Sequence, residues 1–207
     1  MLPFAIALAT GAALWTLLEY VLHRFGGHVP RGRIELSREH LAHHTRPTYF
    51  TPPWKKALLA VPTLSACFGL GALAVGVVAG GGFALGVAGG WLTYEVWHRT
   101  IHVRAPRSRW ARRMARHHLA HHFGHPNDDH GVTVALWDRV FGTYVRPERV
   151  RVPARHVLPW MLTAAGELDP RWADDYVIVG RRGRGDSASS GAGAADLPLA
   201  SAPIAGV

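Results

Sequence analysis

Residues Ala57–Val78 carry no charged side chain. At about 1.5 Å of rise per residue, a helix of this length crosses the roughly 30 Å hydrocarbon core of a bilayer. Two further stretches share its character: Leu2–Leu22, whose only charged residue is Glu19, and Phe83–Trp97, whose only charged residue is Glu95. The third is short for a span, so His98 and the residues after it are expected to emerge at the interface. The first lacks the basic start and small-residue cleavage site of a secretory signal and is read as a retained span. A lipid-exposed segment must satisfy its own backbone, which leaves helices as the economical solution here. The fold class expected is therefore all-α: an integral membrane helical protein with about three spans.

The formal net charge is +9, but all 23 Lys and Arg lie outside these stretches. Seven fall within 23–56, twelve within 98–156 and four beyond. Basic segments flanking spans are what membrane topology and anionic headgroups favour, so the charge does not call for nucleic acid. With three spans and the N-terminus outside, both basic segments fall on the cytoplasmic side. The residues between the second and third stretches, 79–82, form the short external turn. Cys67 is the sole cysteine and lies mid-span, which excludes an intramolecular disulfide and any cysteine-built metal site.

Further along, the sequence predicts a helix over 2–25, a basic loop with a short helix over 32–45, and a helical hairpin at 55–78 and 83–103. Gly80-Gly81-Gly82 serves as the hairpin turn in this reading. After Pro106 a helix over 107–122 is expected, then a Gly/Asn/Asp-rich loop and a short amphipathic stretch over 132–144. Residues 157–166 are apolar but too short to span, and no strand is expected. Residues 1–180 form the membrane-embedded domain, and the Gly/Ala/Ser-rich stretch 181–207 is expected to be disordered.

Histidine is the anomaly of the composition, with 14 residues. Ten of them fall into four clusters: His23 and His28; His40, His43 and His44; His98 and His102; His118, His121 and His122. Positions i, i+3 and i+4 share a helical face, so the third pair points one way and each triplet presents three nitrogens together. His23 and His28 are five apart, which does not suit one face; Gly26-Gly27 offers a break that lets His28 turn back. One such pair alone is weak evidence, and a loose metal sponge or an interfacial pH sensor would also cluster histidines. The joint placement decides, since every cluster sits at the same membrane face. Ten imidazoles can fill two sites for borderline transition metals such as iron or zinc, with five ligands each or somewhat fewer where positions stay open. Of the remainder, His117, His125 and His130 stand near enough to be accessory residues. Glu19 and Glu95 precede ligand pairs by a turn and are expected to fix imidazole orientation from behind.

These boxes, in the order His-x4-His, His-x-x-His-His, His-x3-His, His-x-x-His-His, resemble the fatty acid hydroxylase superfamily, which includes sterol desaturases, and within it the fatty acid 2-hydroxylase branch. LLEYVLHRFGGH (17–28) and ARHHLAHHFGH (115–125) resemble that branch's first and last boxes. HGVTVALWDRVFGTY (130–144) resembles the Gly-x-Ser/Thr-x-x-x-Trp-Asp segment that closes the domain. The resemblance implies an oxidoreductase that inserts one oxygen atom from O2 into a fatty acyl C–H bond, with two iron ions and zinc admitted in purified protein. It implies a lipid substrate drawn from the bilayer. No cytochrome b5 domain precedes the first box, so a separate electron donor, cytochrome b5-like or a ferredoxin, is expected. A carotenoid or sterol-type hydroxylase on the same scaffold, and a non-catalytic membrane zinc protein, are the alternatives.

Overall fold

The computed structural model describes residues 1–180. The expected disorder of 181–207 concerns residues outside that range. Three helices are long and apolar enough to cross a membrane: Leu2–His28, Pro53–Val75 and Val77–Val103. Helix α1 (Leu2–Val21) begins on Pro3 and passes without a break into a π-helical segment, Leu22–His28. Helix α3 (Pro53–Val75) also starts on a proline and buries none of its residues in the protein. Leu58, Leu70 and Leu73 stand exposed along it. A contiguous apolar surface of this extent marks an interaction face, and on a helix of span length it suits lipid.

The hairpin between α3 and α4 (Val77–Val103) turns at Gly76, whose φ of +87° is in the left-handed region. The expected turn at Gly80–Gly82 is thus corrected: those glycines lie inside α4. They serve close approach instead. A Cβ at Gly80 would overlap Ala72 on α3, and one at Gly86 would overlap the Leu8 carbonyl on α1. With little hydrophobic drive between helices in lipid, small residues that let backbones touch supply the packing. Helices α1 and α3 both pack along α4.

The ends of α1 and α4 and the start of α3 meet beneath a cap. The cap comprises α2 (Glu35–Thr45), α5 (Arg109–Phe123), the short α6 (Leu136–Val140) and the segments after it. Ser108 caps α5, its Oγ accepting from Ala111 N at 3.1 Å. The cap's core gathers Ile101, Leu119, Val132, Leu158, Met161 and Tyr176. Residues 157–166 therefore fold into the cap and add no span. Against expectation, one small sheet forms: β1 (Val150–Pro153) pairs in parallel with β2 (Tyr176–Val179), Val150 opposite Tyr176. Alternation is visible only over Val150-Arg151-Val152, too short a run to distinguish from coil until Tyr176 supplies the partner.

Candidate metal centre

The π-helical segment solves the spacing problem of the first cluster. A π turn brings residues five apart onto one face, so His23 and His28 point the same way without a break at Gly26-Gly27. Those glycines serve proximity: a Cβ on Gly27 would lie 2.8 Å from His40 Cδ2. The fold gathers the ten clustered histidines into two groups of five. One comprises His23, His28, His40, His44 and His121; the other His43, His98, His102, His118 and His122. The expectation that each triplet presents three nitrogens to one site is corrected. On α2, His40 and His44 serve the first group and His43 the second. On α5, His118 and His122 serve the second and His121 the first. Residues i and i+4 lie one above the other on a helix, whereas the residue between is turned aside by most of a right angle. Each cap helix therefore lies between the groups and supplies both. The expected four-cluster convergence at one end of the spans is what the fold contains.

The nitrogens stand as metal ligands would. His40 Nε2 lies 2.8 Å from His28 Nε2, His28 Nε2 3.0 Å from His121 Nε2, and His121 Nε2 3.1 Å from His44 Nε2. In the second group, His102 Nε2 and His118 Nε2 are 2.9 Å apart. Two imidazoles bonded at right angles to one ion, each at about 2.1 Å, place their nitrogens roughly 3 Å apart. His23 Nε2, His43 Nε2 and both nitrogens of His122 are buried and lack any protein hydrogen-bond partner. Buried polar atoms without partners are costly, and a cation would satisfy them. Burial first, and crowding by other imidazoles second, drives the pKa of His40, His44, His118, His121 and His122 down. Burial also holds His43 at about 4. The rings are neutral at physiological pH, the form that binds metal.

Backbone carbonyls orient three of these rings from behind. The Nδ1 atoms of His23, His43 and His121 donate to the carbonyls of His130, Tyr49 and Asp128 at 2.5, 2.7 and 2.6 Å. Such outer hydrogen bonds fix the tautomer and ring direction of a ligating histidine. Glu19 and Glu95 were expected in this role, and neither bonds an imidazole. Glu19 accepts from Val132 N, Thr133 N and Thr133 Oγ1 at 2.5, 2.8 and 2.6 Å. It holds the loop whose His130 carbonyl orients His23, and so acts on that ring at one remove. Glu95 accepts from Lys56 Nζ and, at 3.2 Å, from Trp91 Nε1. Both carboxylates are thus engaged by donors other than imidazoles.

The accessory histidines separate clearly. His125 is exposed and only its backbone is engaged, capping α5 through Ala120 O. His130 is buried, stacked 5.6 Å from His28. His117 is buried and clamped between two carboxylates, Nε2 3.0 Å from Asp138 Oδ2 and Nδ1 3.1 Å from Asp129 Oδ1. Burial alone would lower its pKa, but the two carboxylates outweigh that and hold it at about 9. His117 is therefore the cation that lets two aspartates be buried together. Asp138 also accepts from His130 N at 2.7 Å, Gly131 N at 2.8 Å and Thr143 Oγ1 at 2.9 Å. Sequence reasoning passed over Asp129 and the orienting carbonyls; a carbonyl carries no side-chain signature, while Asp138 sits in the Trp-Asp motif itself.

A cavity of about 600 Å³ opens between α1 and α3 along α4. Trp15, Leu22, Leu36, Leu58, Leu64 and Tyr94 form its apolar walls, and His23, His40, His43 and His98 stand in it, so both groups reach its lining.

Helical spans with a histidine-rich cap of this geometry define a metal-binding membrane protein, and the comparisons with known proteins place it further. The fatty acid hydroxylase family model matches residues 8–143, and the chain belongs to that family. It is 32% identical over 146 residues to a dihydroceramide fatty acyl 2-hydroxylase of Arabidopsis thaliana, covering 67% of this chain and 60% of that protein. It is 33% identical over 149 residues to a ceramide very long chain fatty acid hydroxylase of Saccharomyces cerevisiae, covering 67% of this chain and 38% of that one. Among solved structures, full-length Scs7p, in which only the hydroxylase domain is visible, superposes with a TM-score of 0.58 at 29% identity. That match covers 70% of this chain and 57% of Scs7p. The matched region thus spans between 38% and 60% of the length of these relatives.

Proposed function

We propose that this chain is an O2-dependent hydroxylase of fatty acyl chains, acting at the carbon beside the carbonyl, with residues 1–180 as its membrane-embedded domain. The observation that carries the reading is the apolar cavity that runs from the span walls to histidines of both groups. In this reading His23, His28, His40, His44 and His121 hold one iron ion, and His43, His98, His102, His118 and His122 the other. The bound pair supplies the activation of O2, which no side chain can provide. The protein's own part is positional. The cavity admits an acyl chain from the bilayer and excludes water, while the carbonyls of residues 49, 128 and 130 hold three imidazoles in register. The overall change is one C–H converted to C–OH and one water formed, from O2, two electrons and two protons. In this reading the electrons come from a separate donor of the cytochrome b5 or ferredoxin kind, and the basic loops beside the spans support a cytoplasmic side for the histidines.

Lipid mass spectrometry of cells expressing the wild type or a His121→Ala/His122→Ala variant tests this. A +16 Da acyl species made only by the wild type is expected. A shift in carotenoids or sterols instead moves the substrate class, and unchanged lipids with O2 uptake absent under a competent electron supply point to a zinc protein.

A further inference from the structure

Apart from its histidines and the hydroxyls of Thr51, Thr63 and Tyr94, the polar lining of the cavity consists of three sets of charged side chains. Glu19 is engaged at both oxygens, by the 132–133 backbone and the Thr133 hydroxyl. Lys55 Nζ donates to both Glu35 and Glu39, at 2.6 and 2.5 Å, and Tyr49 donates to Glu39 at 2.5 Å. The third set is Lys56 with Glu95. Glu95 lies three residues before His98 on α4, and residues so spaced are neighbours on a helix face, about 5–6 Å apart at Cβ. Lys56, Glu95, His43 and His98 all line the same cavity. Both Glu95 oxygens are engaged, by Lys56 and by Trp91. The Lys56 ammonium has three N–H donors, and Glu95 is its one carboxylate partner among the described residues. The lysine side chain is 25% exposed and lines the cavity with His43 and His98, and its ammonium has donors beyond the one that Glu95 takes. Glu95 lies within the third apolar stretch, where an ionisable group is costly and characteristically functional.

An acyl chain is a run of chemically similar methylenes. Only a fixed distance from its carbonyl distinguishes the adjacent carbon from the next, so a site that hydroxylates one position needs a donor for that carbonyl close to its metals. We propose that the Lys56 ammonium, held in place by Glu95, donates a hydrogen bond to the acyl carbonyl oxygen and thereby sets which carbon is hydroxylated. The assignment rests on the hydroxylase reading above. The Lys56–Glu95 pair is neutral overall, which suits the carbonyl of an ester or amide. A free carboxylate would bring a second negative charge toward Glu95.

The test is expression of the wild type, Lys56→Met and Lys56→Arg in the same cells, with metal content of the purified proteins and the hydroxyl position of released acyl chains measured by mass spectrometry. The wild type is expected to give the 2-hydroxy product alone. Lys56→Met is expected to keep its metal but spread the hydroxyl over neighbouring carbons, the 2-hydroxy yield falling about tenfold or more, as for loss of one charge-assisted hydrogen bond. Lys56→Arg, which keeps a donor, is expected to restore the 2-hydroxy product. A Lys56→Met enzyme that makes the single 2-hydroxy product at the wild-type level overturns the assignment. Loss of metal in that variant does so too, since it marks a structural role, as does failure of Lys56→Arg to recover product. A wild type that makes no hydroxylated acyl chain instead defeats the hydroxylase reading, and this assignment with it.

Discussion

His44 of one histidine group lies flat on His122 of the other, ring centroids 4.0 Å apart and planes within 7°. This stacked pair is a wall shared by the two sites. His28, by contrast, has ring contacts among the described residues only with its own group and with His130. His28→Ala is therefore expected to lower bound metal by no more than one equivalent. His44→Ala, which also unseats His122, is expected to lower it by more than one. Elemental analysis of the purified variants checks this; equal losses would show that the stack does not couple the sites.

Asp138 acts on the centre without touching it. Through His130 N and Gly131 N it holds the residue whose carbonyl orients His23. Asp138→Asn cannot accept from all of its present donors and leaves His117 with one carboxylate. A drop of about 10–100-fold in metal affinity is expected, as for loss of an outer-shell partner, read as metal retained against graded chelator.

The His117 clamp gives stability a definite pH dependence. Its pKa rises from an ordinary 6.5 to about 9 in the folded chain. A raised pKa means that the stabilisation is full below 6.5 and fades as pH climbs through 9. Thermal melts in detergent across pH 6.5 to 9.5 should show a falling midpoint. His117→Gln should remove that slope, whatever it does to stability at neutral pH.

Two glycines on α4 make opposite predictions. A Cβ at Gly86 would overlap the Leu8 carbonyl and lie 2.9 Å from Ala12 N, both backbone atoms that cannot swing aside. Gly86→Ala is expected to destabilise the α1–α4 pair by about 1–3 kcal/mol, the usual cost of overpacking. Gly89 has nothing within 4 Å of such a Cβ, so Gly89→Ala should be neutral or stabilising by up to about 1 kcal/mol through helix propensity. Unfolding in a common detergent compares them.

The sequence by itself determined the spans, the cap helices and the end of the molecule at which ten histidines gather. Those properties are local: apolar run length sets a span, and the placement of a histidine box after a span sets its depth. The tertiary structure decided what depends on distant partners. His23 takes its outer bond from His130, 107 residues away, and Glu19 takes Val132, 113 residues away. No local pattern encodes such pairings, so Glu19 looked like a partner for imidazoles when it is a partner for a loop. Likewise Gly80–Gly82 read as a turn because glycine permits turns, whereas the neighbouring helices needed its missing Cβ. The division of His43 from His44, and of His121 from His122, was settled only when α2 and α5 came to lie between the two groups. A helix directs adjacent residues some 100° apart, and only packing decides what stands in each direction.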